Sequence, residues 1–128
     1  MINKKVNFLG KLEAEIMEIV WTNGTVSVRD VVSELEKRKK IAYTTVMTVM
    51  TRLFKKNILK RKQDKGGAFV YLPTKEKKEF VAQASEKMIR NFLQEFGDVA
   101  VAQFVDVIEM ADAEHSASWK KKLKDLLE

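Results

Sequence analysis

The stretch Ala42-Tyr43-Thr44-Thr45-Val46-Met47-Thr48-Val49-Met50-Thr51-Arg52-Leu53 decides the fold. Val46, Val49, Met50 and Leu53 recur at spacings of three and four, which aligns them on one face of a helix running from about Tyr43 to Lys56. The opposite face collects Thr44, Thr48, Thr51, Arg52 and Lys55, with Thr45 and Met47 beside it near the N-terminal end. β-Branched Thr is a mediocre helix former, so four on one helix point to surface chemistry. Thr hydroxyls reach base edges or phosphates, and Thr or Met methyls pack on the thymine methyl. A solvated face that contacts nothing is the competing reading.

Upstream, Leu9, Leu12, Ile16, Ile19 and Val20 form the apolar stripe of a first helix that Trp21 closes and Asn23-Gly24 stops. Thr25-Val26 suits a short strand, and Ser27 an N-cap for a second helix with Val28, Val31, Val32 and Leu35 inward. Downstream, Ile58–Lys62 and Ala68–Leu72 flank Asp64-Lys65-Gly66-Gly67, the pattern of a hairpin. Pro73 ends that hairpin and Thr74 is expected to cap a long helix from Lys75 to about Glu95. Three helices and a hairpin in this order predict a winged helix-turn-helix.

The remaining chain is helical. Phe80, Ala84, Met88 and Phe92 lie four apart, Gly97-Asp98 breaks the pattern, and Val101, Phe104, Val105 and Ile108 mark another helix. Trp119, Leu123, Leu126 and Leu127 mark a last one. Three helices within residues 74–128 bury such large faces poorly alone. A second copy of the chain is the simplest remedy, through Phe80, Met88, Phe92, Phe96, Phe104, Trp119 and Leu123. The expected fold is therefore mostly α with a small β-hairpin wing: a winged helix-turn-helix domain over 1–73 and a three-helix dimerisation region over 74–128.

The charge follows the same division. Of the 128 residues, 1–73 hold 15 Lys and Arg against 7 Asp and Glu, a balance of +8, while 74–128 hold 9 against 11, a balance of −2. That asymmetry fits a polyanion partner for the first half only. Lys60, Arg61, Lys62 and Lys65 around the hairpin turn suit phosphates of an adjoining groove. The absence of Cys excludes disulfides, thiolate nucleophiles and thiolate metal sites. The single His115, in a polar segment ahead of the last helix, has no partner for a metal site or dyad, so neither metal nor cofactor is expected. Asp106, Glu109, Asp112 and Glu114 lack the glycine-bearing spacing of a calcium loop and read as a solvated acidic face. No phosphate-loop, dinucleotide or nucleophile-elbow motif occurs, so an enzyme is not expected. No apolar window reaches membrane-span length and no signal-peptide core opens the chain, which favours a cytoplasmic address without membrane insertion.

Leu9-Gly10-Lys11-Leu12-Glu13, Ile16-Met17, Val20-Trp21, Gly24 and Thr25–Val31 resemble the opening of the penicillinase and methicillin-resistance repressor (BlaI/MecI-type) family. Ala42–Val49 through Arg52-Leu53 and Lys55-Lys56 resemble its recognition helix, and Phe69-Val70-Tyr71 with Pro73 its wing and exit. The likeness is specific over 9–73 and only a helical pattern beyond. It implies a homodimeric, sequence-specific transcriptional repressor that binds double-stranded DNA at inverted-repeat operators with TACA/TGTA-like half-sites. Carried over by position, Thr44, Thr45, Met47 and Thr48 face bases, whereas Arg52 and wing residues such as Arg61 hold phosphates. Thr51, Lys55, Lys60 and Lys65 join the phosphate set by their place on the outer helix face and around the hairpin turn. Family members often carry basic residues where Thr44 and Met47 stand, so base preferences need not transfer. The resemblance also implies a regulatory protease that cuts an Asn-Phe bond in the C-terminal region. Asn91-Phe92 falls too early, and the aligned position is Gln103-Phe104, with Gln replacing Asn. The copper-responsive branch ends in paired cysteines, which this chain lacks. The alternative from another class is a winged-helix protein-interaction module without DNA binding.

Overall fold

Helix starts and stops set the order of elements in the computed structural model, which describes residues 9–111 and 113–127. The elements are α1 (Lys11–Asn23), α2 (Val28–Glu36), α3 (Tyr43–Lys55), β1 (Leu59–Gln63), β2 (Phe69–Pro73), α4 (Lys77–Phe96), α5 (Asp98–Met110) and α6 (Ala113–Leu127). The chain divides into two compact units, with the boundary inside α4 between Gln83 and Ala84.

At the start of α1 the Gly10 N–H donates to Glu13 Oε1 at 3.0 Å. At its end Gly24 takes φ +85°, a conformation costly for side-chain-bearing residues, and donates its N–H to the Val20 carbonyl at 2.7 Å. Ser27 and Asp30 form a reciprocal capping box on α2: Asp30 N–H donates to Ser27 Oγ at 3.0 Å and Ser27 N–H to Asp30 Oδ2 at 2.9 Å. Helix α3 starts at Ala42 without a side-chain cap. It ends in a Schellman motif, with Ile58 N–H on Leu53 O and Asn57 N–H on Phe54 O, both at 3.0 Å. Asn57, at φ +62°, occupies the left-handed position usually given to Gly.

That closure uses Ile58, so the hairpin starts one residue later than the sequence pattern suggests. The antiparallel register pairs Leu59 with Pro73, Arg61 with Tyr71 and Gln63 with Phe69. Asp64 Oδ1 accepts from Gly66 N–H at 2.9 Å and Ala68 N–H at 3.1 Å, holding the turn. Val26 forms the expected extended contact, an isolated bridge in which it exchanges backbone hydrogen bonds with Tyr71 at 3.0 and 2.7 Å. Thr74 does not cap α4. Its hydroxyl donates toward the Asn57 and Ile58 carbonyls at 2.9 and 3.0 Å, tying the exit of β2 to the entry of β1, and α4 begins only at Lys77.

Ile16, Met17 and Val20 of α1, Val31 and Leu35 of α2, and Val46, Met50 and Leu53 of α3 meet Leu59 and Tyr71 of the hairpin in one core. Trp21 and Phe80 pack on its edge with ring centroids 5.4 Å apart, and Trp21 Nε1 donates to the Lys75 carbonyl at 3.0 Å. Lys77 pairs with Glu18 at 2.7 Å, so the first turns of α4 belong with this unit.

In the second unit Gly97, at φ +56°, separates α4 from α5. Phe92 packs near Phe96 at 5.8 Å and edge-on to Phe104 at 6.0 Å, and Lys120 pairs with Glu109. Among the described side chains of this unit, only Ala100 and Leu123 are buried. His115 lies inside α6 rather than ahead of it, stacked on Trp119 one turn later at 5.6 Å. The apolar periodicity that marks α6 starts only at Trp119, but helix formers such as Ala113, Glu114 and Ala117 extend the helix backwards.

Candidate nucleic-acid interface

The inward face of α3 is buried as its spacing requires, and this fixes what faces out. Thr44, Thr45, Met47 and Thr48 are exposed, Thr51 is half-buried, and Arg52 and Lys55 are exposed in the last turn, where cations favour the helix dipole. The Thr48 hydroxyl donates to the Thr44 carbonyl at 2.8 Å. Its donor is therefore used inside the helix, and its methyl and oxygen lone pairs remain for a ligand.

The hairpin turn supplies exposed Lys60, Lys62 and Lys65. Between it and α3 lies an open groove of about 490 Å³, lined by Arg29, Tyr43, Met47, Thr51, Arg61 and Phe69 among others. The structure thus brings Met47, Thr51 and Arg61 to one groove and leaves Thr44, Thr45, Thr48, Arg52, Lys55, Lys60 and Lys65 outside its lining. Arg61 is half-buried: its guanidinium carbon lies 4.0 Å from the Phe54 ring centroid and 4.1 Å from that of Phe69.

Sequence reasoning passed over Arg29, Tyr43, Phe54 and Phe69. The Arg29 guanidinium stands 5.7 Å from the Tyr43 ring centroid. A signal for Phe69 existed, because period-two counting along paired strands puts Arg61, Tyr71 and Phe69 on one face. Phe54 carried none beyond being an aromatic outside the inward stripe.

Acidic residues of this unit engage other lysines. Glu13 pairs with Lys56 at 3.1 Å and Glu15 with Lys39 at 2.6 Å. Burial opposes ionisation of Glu13, but the Gly10 N–H and the Lys56 ammonium outweigh it and hold the carboxyl below its ordinary value. Lys39, hydrogen-bonded to Glu15, lowers that carboxyl too. Among the described residues no ion pair engages Lys55, Lys60 or Lys65, so their charge remains available to an external anion.

Of the residues expected at a dimer contact, Phe92, Phe96 and Phe104 cluster and, with Val99, Ala100 and Gln103, line an open apolar groove of about 240 Å³. Met88 is half-buried, Trp119 exposed and Leu123 buried, whereas Phe80 packs on Trp21 of its own chain. The Gln103–Phe104 bond lies within α5, so its backbone is helical. No group of His, Asp and Glu suited to a metal ion occurs among the described residues, and no described helix is long and apolar enough to cross a membrane. Asp112, one of the acidic residues considered above, lies outside the described residues.

The sequence is similar to those of known proteins. The chain is 24% identical to the penicillinase repressor of Bacillus licheniformis over 111 residues, covering 87% of this chain and 86% of the relative. It is 25% identical to the methicillin resistance regulatory protein MecI of Staphylococcus aureus strain N315 over 113 residues, 88% and 91% of the two chains. Over 79 residues it is 40% identical to the transcriptional regulator BlaI of Mycobacterium tuberculosis strain H37Rv, covering 61% of this chain and 56% of that one. The penicillinase repressor family matches residues 9–128, and with the helix-and-hairpin unit at its N-terminal end the chain belongs to that family.

Proposed function

We propose that this chain is a homodimeric transcriptional repressor that binds inverted-repeat, TACA/TGTA-like operators. The observation that carries the reading is the exposed Thr- and Met-bearing face of α3, flanked by Lys55 on the same helix and Lys60 and Lys65 on the hairpin, none of them in an ion pair among the described residues. The names of the relatives, penicillinase repressor and methicillin resistance regulatory protein, point the same way. Thr44, Thr45, Met47 and Thr48 read bases. Thr48, its hydroxyl hydrogen held by Thr44, offers a methyl to thymine and lone pairs to an exocyclic amine. Thr51, Arg52, Lys55, Lys60 and Lys65 hold phosphates. The role is binding rather than catalysis, with no metal or cofactor.

Dimerisation runs through the helical region from α4 onward. Its support is the exposed apolar surface of α5, at Val99, Val107 and Met110, and Asn91, whose Nδ2 is buried without a hydrogen-bond partner among the described residues. A symmetric pair presents two α3 helices about 34 Å apart, one turn of DNA. Repression is relieved by a regulatory protease that cuts between Gln103 and Phe104 after local opening of α5. A fragment ending at Gln103 in intact-mass spectra of cells exposed to a β-lactam supports that step, and a full-length chain throughout overturns it.

A gel shift tests the main reading. At about 150 mM salt the chain is expected to prefer a TACA/TGTA palindrome over scrambled DNA, with affinity falling steeply as salt rises. Thr48→Ala is expected to lower that preference and leave non-specific binding nearly intact. No preference for the palindrome, combined with salt-insensitive binding to a protein, overturns it.

A further inference from the structure

The distal half of the hairpin is held within itself by the Asp64 turn but has little packing that fixes it against the rest of the unit. At its base, Tyr71 is bridged to Val26, and Thr74 is bonded to Asn57 and Ile58. Toward the turn, Lys62, Gln63 and Phe69 are exposed, Phe69 to 40% of the residue. A two-stranded ribbon is marginal without packing. The tip therefore needs a contact to keep one orientation to α3.

Arg61 supplies that contact. Phe54 projects from the last turn of α3 and Phe69 from the start of β2, and the guanidinium lies between the two rings at 4.0 and 4.1 Å. Its Nη1 reaches toward the Tyr71 hydroxyl at 3.5 Å, the outer limit of a hydrogen bond. A guanidinium is planar and weakly hydrated, so it can stack an aromatic ring on each face; an ammonium is a compact, strongly hydrated point charge. A residue whose only task is to neutralise a phosphate requires no such sandwich.

We infer that Arg61 is a positioning residue, whose guanidinium clamps the hairpin to α3 through Phe54 and Phe69 and so sets the spacing between the base-reading and phosphate-holding elements. The inference rests on the proposed DNA-reading role for its consequence, but not for the clamp itself. The test compares Arg61→Lys, Arg61→Met and Phe69→Leu with the unaltered full-length chain. Hydrogen exchange is measured without DNA, and binding to the TACA/TGTA palindrome with scrambled DNA as control.

In all three variants, amides of β1 and β2 are expected to exchange faster without DNA, while the core amides of α1 and α2 keep their protection. Palindrome affinity is expected to fall about tenfold, the size of one such stacking contact, in Arg61→Lys although the charge is kept. The double variant Arg61→Lys/Phe69→Leu should bind no worse than the weaker single variant, because both break one clamp. Arg61→Lys binding like the unaltered chain, with DNA-free exchange unchanged, overturns the clamp and returns Arg61 to a phosphate contact. Faster exchange throughout the core also overturns it, because that marks a general stability role. If the unaltered chain shows no palindrome preference, the DNA-reading proposal fails while the exchange measurements still decide the clamp.

Discussion

The two units of this chain use apolar residues differently. In the N-terminal unit, three helices and a hairpin close around sixteen buried hydrophobic residues, nine of them in the most fully buried set. In the C-terminal unit, two described side chains are buried, while Val99 is 76% and Met110 86% exposed. The second segment does not lack apolar residues. Among the described residues, the hairpin and Val26 bridge complete the first interior, whereas Val99, Val107 and Met110 of α5 stay exposed. One stretch of chain closes its own core, while large apolar side chains of α5 stay exposed.

The largest expected effect comes from damaging the finished side. Leu53 is fully buried where α3 meets β1. Leu53→Ala should cost about 2–5 kcal/mol, as buried Leu truncations do, and abolish palindrome binding with the fold of the first unit. A urea melt followed by circular dichroism reads the loss. A cost below about 1 kcal/mol would mean that this core is as loosely closed as the second unit.

The next effect falls on the unfinished side. If a second copy covers the α5 face, Val99→Asp with Met110→Asp should shift sedimentation from dimer to monomer. Palindrome affinity should then fall about 100-fold, the lower range for losing linked half-site contacts. The first unit's melt should not change. A variant that stays dimeric would move the pairing surface elsewhere.

Legibility in the sequence follows the same contrast. The inward face of α3, the Ser27 cap and the Gly24 stop rest on rules acting within a few residues, and the sequence pattern is enough to read them. The Asn57 turn was hidden because Asn in a left-handed conformation looks like any surface Asn, and Thr74 because its hydroxyl bonds backward across the hairpin rather than forward into α4. The Arg61 sandwich joins positions 54, 61 and 69 on three elements, and charge and family resemblance both assigned that residue to phosphate. On the second unit, apolar spacing marked helices but could not say which face a partner covers, since a helix stripe reads alike toward its own chain or another.

A smaller effect tests whether the first unit depends on local signals as well as on its core. Ser27→Ala removes the side-chain acceptor for Asp30 N–H and should destabilise the first unit by about 1 kcal/mol. The urea midpoint should fall while dimerisation does not change. An unchanged midpoint would show that the Val26–Tyr71 bridge and the core suffice to start α2.

The smallest expected effect is electrostatic. Glu13 joins the start of α1 to the end of α3 by accepting from Gly10 N–H and pairing with Lys56. Because the folded state holds its carboxyl below the ordinary value of 4.5, the unfolded chain takes up its proton first as pH falls. The contribution of this group is therefore fully present above the unfolded value. It is lost as pH falls through the lower, folded value. Glu13→Gln keeps an acceptor for Gly10 and removes only the charge facing Lys56, so it should cost about 0.5–1 kcal/mol near neutral pH. The two urea midpoints should converge on acidification below about pH 4. A gap that persists in acid would mean that Glu13 acts through packing and not through its charge. The link between α1 and α3 would then belong to the same apolar closure that separates the first unit from the second.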